Sequence, residues 1–170
     1  MKRNIVWTLF FVATLLLSLA SVASAQDRYI CSNAGVAGTW GTTLTGTQFL
    51  PTGPVPFASV NRNTFDHAGN FSGTQTRSTN GNVSRVTFQG TYTVNPDCTG
   101  KKTAKAFDPS GNLLNTVEAD FVLVNNGKEL LEIFTSVTVP TPNGPTSVPV
   151  VITGHAIKLF PFPWLYGFEQ

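Results

Sequence analysis

Val83-Ser84-Arg85-Val86-Thr87-Phe88-Gln89-Gly90-Thr91-Tyr92-Thr93-Val94 is the stretch that decides the fold. Val86, Phe88, Tyr92 and Val94 fall on one face of an extended chain. Arg85, Thr87, Gln89, Thr91 and Thr93 fall on the other. A period of two with one apolar and one wet face is the signature of an antiparallel strand that covers a core on one side only.

Working outward, the same grammar repeats. Upstream, Asn80-Gly81 is a tight hairpin signal, preceded by a strand over about 71–78. The turn His67-Ala68-Gly69-Asn70 leads back to a strand over about 57–66. Pro51-Thr52-Gly53-Pro54-Val55-Pro56 reads as a break, because proline donates nothing to a ladder. A first strand is expected over about 37–50. Downstream, strands are expected over about 101–107, 114–124, 129–139 and 148–159. They are separated by Asp108-Pro109-Ser110-Gly111-Asn112, by Asn126-Gly127 and by a loop Pro140-Thr141-Pro142-Asn143-Gly144-Pro145. No segment carries a sustained helical period. Short connections favour pairing of neighbours. The fold expected is therefore all-β, an antiparallel up-and-down barrel of about eight strands, with a β-sandwich as the alternative.

One short repeat is visible. Phe65-Asp66-His67-Ala68-Gly69-Asn70 and Phe107-Asp108-Pro109-Ser110-Gly111-Asn112 share the pattern F-D-x-x-G-N. Aspartate closes such a turn through its own side chain, and glycine supplies the positive φ. One carboxylate per copy falls short of the six to eight oxygens calcium takes, so a structural turn is expected.

The N-terminus reads as an export signal. Lys2 and Arg3 precede an apolar run from Ile5 to Leu19, and Ala23-Ser24-Ala25 has the small-residue pattern of a cleavage site. Cleavage after Ala25 would leave 26–170 as one domain, secreted or periplasmic. Of the 11 Lys and Arg, Lys2 and Arg3 would leave with the signal, and the remainder would match the nine Asp and Glu. That balance gives no cationic field for nucleic acid. Lys101, Lys102 and Lys105 cluster on one short strand and read as a solvated edge. Cys31 and Cys98 are the two cysteines. In an oxidising compartment they are expected to pair, closing a loop of about 68 residues worth roughly 4 kcal/mol. The C-terminal Leu159-Phe160-Pro161-Phe162-Pro163-Trp164-Leu165-Tyr166-Gly167-Phe168 is aromatic and carries two prolines. It reads as a tail packed across a barrel end, or as a contact for a membrane surface or partner.

No phosphate loop, dinucleotide fingerprint, nucleophile elbow or zinc-protease motif is present. No catalytic residue, metal site or cofactor is expected. His67 lies in a turn. His155 is expected to share an inward face with Val151, Ile157 and Leu159. Glu118, Asp120 and Glu132 are expected outside, opposite an interior formed by Phe121, Leu123, Leu131 and Ile133.

The phrase Gly90-Thr91-Tyr92-Thr93-Val94-Asn95-Pro96-Asp97-Cys98-Thr99-Gly100, with Thr64-Phe65-Asp66 before it and Asn126-Gly127 after it, resembles uncharacterised secreted bacterial proteins. The resemblance implies export and a β fold. Gly38-Thr39-Trp40 resembles the G-x-W opening of lipocalins. There the tryptophan packs under the barrel floor against a late arginine. This chain has no arginine after Arg85, only Lys158 in the last strand. Eight-stranded barrels similar to allene oxide cyclase and dirigent proteins are an architectural analogy.

The function expected from this reading is non-catalytic binding of a small apolar or amphipathic ligand inside the barrel. Trp40, Phe88, Tyr92, Phe121 and His155 are the candidate contacts, with Tyr92 and His155 orienting the ligand. The alternatives are a cyclase- or isomerase-type barrel enzyme and an extracellular structural or adhesion module.

Overall fold

The computed structural model describes residues 31–159. The expected export signal and the aromatic tail beyond Leu159 lie outside the described residues. Nine strands follow one short helix: α1 (Asn33–Val36), β1 (Gly38–Leu50), β2 (Gly53–Phe65), β3 (Asn70–Thr79), β4 (Asn82–Val94), β5 (Thr99–Phe107), β6 (Leu113–Val124), β7 (Glu129–Thr141), β8 (Gly144–Ser147) and β9 (Val150–Leu159). All pairings are antiparallel. Strands β1 to β7 pair in sequence, and β9 joins β7 to β1. The sheet therefore closes into an eight-stranded barrel, and β8 is an extra strand carried on β7 alone. Closure removes the long exposed edges that an open sheet would present.

Two segments read as loops are in fact strands. Pro54 and Pro56 lie within β2. They are tolerated because β3 reaches only as far as Phe57, so their missing N–H groups face a side with no ladder to complete. Thr138–Thr141 and Gly144–Ser147 form a tight hairpin in which Pro140 faces Pro145, where a loop was expected.

Inward residues alternate along the eight barrel strands, with a change of phase in β7 beyond Phe134. At one end they make a continuous aromatic cluster: Trp40, Phe65, Phe71, Tyr92 and Phe121 with Val36, Leu123, Leu130 and Ala156. Phe65 stacks on Phe71 at 5.1 Å and meets the edge of Tyr92 at 5.0 Å. Glycines make room for these rings. Gly73 faces Phe88 across β3–β4 and Gly100 faces Phe121 across β5–β6. A Cβ at Gly73 would lie 2.5 Å from the Phe88 ring, and one at Gly100 would lie 2.2 Å from the Phe121 ring.

The same end is plugged by the residues preceding β1. The Cys31–Cys98 disulfide ties the lead-in to the β4–β5 turn. Ser32 caps α1 by accepting from the Gly35 amide. Asn33 Oδ1 accepts from the Val94 amide at 3.0 Å. Trp40 Nε1 donates to the Val36 carbonyl at 2.8 Å, and Lys158 Nζ donates to the Gly35 carbonyl at 2.7 Å while sitting 5.6 Å from the Trp40 ring centre. Lysine thus occupies the place beneath the tryptophan that the lipocalin resemblance gives to arginine.

The F-D-x-x-G-N turns are structural, as expected. Asp66 accepts from the backbone and side chain of Asn70, and Asp108 accepts from the Ser110 and Asn112 amides and the Asn112 side chain. These bonds, the Asn side chains first, hold both carboxyls below the usual carboxylate range. Gly69 and Gly111 take φ of 90° and 84°.

Candidate functional site

The barrel interior differs between its two halves. Above the aromatic cluster the lumen holds a cavity of about 70 Å³, running toward the end bounded by the β1–β2, β3–β4 and β5–β6 hairpins. Its apolar wall comes from Leu44, Phe57, Phe88, Phe134, Val137 and Ile152. A second small cluster, Leu44, Phe57 and Ile152 with Phe134 and Val150, forms part of that wall. Phe71 and Phe88, with ring centres 6.0 Å apart, belong to both the floor and the cavity.

The barrel interior is more polar than its alternation suggests. Thr42, Ser59, Asn63 and Glu132 are buried. Asn63 Nδ2 donates to Thr42 Oγ1 at 3.0 Å, and Gln75 Nε2 donates to Ser59 Oγ at 3.1 Å. Lys102 from β5 forms an ion pair with Glu132 from β7, and its ammonium lies 5.7 Å from the Phe71 ring centre. The pair straddles β6, where the small buried Ala119 sits opposite both Lys102 and Phe134. Arg77 lines the far part of the cavity, donates through Nε to Ser84, and has its pKa lowered by burial.

Both ion-pair partners correct the sequence reading. Lys102 points into the lumen, whereas Lys101 and Lys105 stay exposed. Glu132 points inward with a side chain only 1% exposed, and Leu131 and Ile133 point outward at 44% and 48%. The run Leu130-Leu131-Glu132-Ile133-Phe134 is apolar on both phases apart from Glu132, so hydrophobicity leaves its phase open. The register with β6 decides it: Glu132 faces Phe121 and Leu131 faces Val122.

The candidate contacts separate into three groups. Phe88 lines the cavity. Trp40, Tyr92 and Phe121 lie in the packed cluster beneath it. The Tyr92 hydroxyl, set 2.9 Å from the Asn33 carbonyl and 2.5 Å from that of Asp66, has its pKa pushed up to about 12 by burial and then by the Asp66 charge. His155 is on the outer wall, 44% exposed, with its Nε2 2.9 Å from Glu129 Oε2. The expected inward face of His155, Ile157 and Leu159 is the outer face, because Ile152, Ala156 and Lys158 are the inward phase of β9. An inward Tyr92–His155 pair does not form. Among the described residues no cluster of His, Cys, Asp or Glu could hold a metal ion.

No known family model matches this sequence, and no curated protein does. Among solved structures, the chain is similar to a barrel described as "EF1p2_mFAP2b bound to DFHBI", at TM-score 0.51 and 12% identity over 79% of this chain and 99% of that one. It is also similar to a "redesigned beta barrel, mFAP1, bound to DFHBI", at TM-score 0.49 and 17% identity over 75% and 99% of the two chains. Rv2717c from M. tuberculosis matches at TM-score 0.37 and 12% identity over 74% and 93%. At 12% identity the likeness to the first of these is one of fold.

Proposed function

We propose that this barrel binds a small apolar or amphipathic molecule in the open half of its lumen, without chemistry on it. The observation that carries the reading is the asymmetry of the interior. A filled core would continue the ring packing from end to end, whereas here the ring-to-ring contacts stop at Phe71 and Phe88, and the second cluster of Leu44, Phe57 and Ile152 forms only a wall. Beyond them lies a cavity of mixed apolar and polar lining. Large apolar walls with a few fixed polar groups are the usual make-up of a ligand site. The similar barrel noted above is described as bound to DFHBI, so a barrel of this fold can carry a small ligand.

In this reading Phe88 and Phe71 are the surface on which the ligand rests. Trp40, Tyr92 and Phe121 hold that surface rigid from below, and His155 takes no part. The cavity, about 70 Å³, is smaller than the roughly 150 Å³ that accepts benzene in an engineered core. In this reading a ligand of that size requires Gln48, Gln75 and Arg77, which line the open half, to move aside, breaking the Gln75–Ser59 and Arg77–Ser84 hydrogen bonds.

Titration with a small environment-sensitive fluorophore should show saturable binding at one site. Val117→Phe, which fills the cavity from β6, should abolish it while leaving the far-ultraviolet dichroism unchanged. Absence of saturable binding in the wild type, or undiminished binding in Val117→Phe, would put the filled structural module ahead.

A further inference from the structure

The buried side-chain atoms that lack a hydrogen-bond partner among the described residues are Asn63 Oδ1, Asn115 Oδ1 and the two carboxylate oxygens of Glu132. All are acceptors. All three residues line the cavity. They come from β2, β6 and β7, so the pattern is a property of the lumen and not of one strand. A buried acceptor without a donor costs about 1–3 kcal/mol, and such groups are uncommon enough that each calls for a physical reason.

Glu132 fixes the sign of the pattern. An amide can turn about its last bond and offer its nitrogen instead; a carboxylate offers only acceptors. Lys102 compensates one carboxylate oxygen, Oε2. The other, Oε1, lies on the side of Gly154, where a Cβ would come within 2.6 Å of it. The missing side chain at Gly154 therefore leaves the space Glu132 needs. Asn63 has already committed its nitrogen to Thr42.

We propose that the ligand carries a hydrogen-bond donor, a hydroxyl or N–H on an apolar or aromatic body, and that it docks this group on Glu132 Oε1, with Asn115 as a second acceptor. This rests on the lumen-binding reading above and narrows it to a chemical class. A carbonyl or ether in place of the donor would set one acceptor against another and leave the carboxylate oxygen unpartnered in the complex. Discrimination is largest in such a case, because the penalty falls on a buried charged group.

The test uses 4-fluorophenol and its methyl ether, 4-fluoroanisole, followed by fluorine NMR on the intact protein. The phenol should bind about tenfold tighter than the ether, the ratio that corresponds to about 1.4 kcal/mol. In Glu132→Gln, Lys102 keeps the amide oxygen and turns the Nε2 donor toward the cavity, so the preference should vanish and 4-fluoroacetophenone should gain. If neither fluoroarene binds saturably while the fluorophore does, or if both bind equally, the donor inference fails and lumen binding stands. If nothing binds, the lumen reading itself fails. A phenol preference that survives in Glu132→Gln and in Asn115→Leu assigns the donor contact elsewhere and overturns the site. The wild-type comparison needs no variant, so a poorly folding Glu132→Gln leaves the inference open to refutation.

Discussion

Lys102 and Glu132 set the polar character of the lumen. With side chains 11% and 1% exposed, each is the other's ionic partner inside the barrel. Removing one partner of a buried pair typically costs about 3–5 kcal/mol, because the survivor stays buried without compensation. Lys102→Ala should therefore lose stability in that range in urea unfolding. Lys102→Met with Glu132→Leu should recover most of it, since apolar groups of similar volume carry no desolvation penalty. A double variant no better than the single one would show that the pair contributes net stability and does not merely satisfy itself. Tyr92 is the second residue with a consequence for pH. Its phenol has an ordinary pKa of 10.0, raised to about 12 in the folded barrel. The neutral form is the one the fold favours, so this contribution is complete below pH 10 and is lost as pH rises toward 12. Stability measured between those limits should fall with pH in the wild type and fall less in Tyr92→Phe. Parallel curves would remove Tyr92 from the account.

At the scale of elements, the plug and the β7 strand matter most. The helix α1 has four residues, too few to persist alone. It is held by the Cys31–Cys98 disulfide ahead of it, by the Val94 amide donating to Asn33 Oδ1, and by Trp40 and Lys158 donating to the Val36 and Gly35 carbonyls. Replacing Cys31 and Cys98 by serine should cost about 4 kcal/mol, the chain-entropy value for a loop of this length. It should also raise the solvent accessibility of Trp40, read as a red shift and greater quenching of tryptophan fluorescence relative to wild type. An unchanged spectrum would mean that the floor holds without its tether. The eight barrel strands were legible in the sequence, though not the start of β2 or the extra strand β8, and so was the inward set of β4, because Val86, Phe88, Tyr92 and Val94 alternate with polar residues. β7 was not legible. Its inward residues are Leu130, Glu132 and Phe134, and a bulge at Thr135, where Glu118 pairs with Ser136 and Ala119 with Phe134, then brings Val137 inward. A bulge adds one residue to one strand and reverses the phase beyond it. A run apolar on both faces contains no sign of where that happens.

The whole molecule is a barrel packed at one end and looser at the other. Amide exchange should follow that gradient, because local opening is governed by how many buried contacts an element breaks. Amides of Trp40, Tyr92, Phe121 and Leu130, in the packed cluster, should exchange slowest. Those of Gln48, Arg77 and Thr141, toward the other end, should exchange faster, and a saturating ligand should slow the Arg77 region selectively. Uniform protection along the strands would contradict the gradient.

Local rules were enough for the all-β class, most of the turns, the F-D-x-x-G-N caps and the pairing of Cys31 with Cys98. Each of these depends on local rules: alternation with period two, side-chain closure of a turn, and the only two cysteines present. That Lys102 and Glu132 are inside while His155 is outside, and that Lys158 reaches under Trp40, follows only from the assembled barrel. So does the place where packing gives way to a cavity. Those outcomes depend on register between strands and on closure of the barrel. A shift of one residue moves every side chain of a strand to the opposite face. A charge is stable in the lumen only because a partner two strands away arrives at the same level.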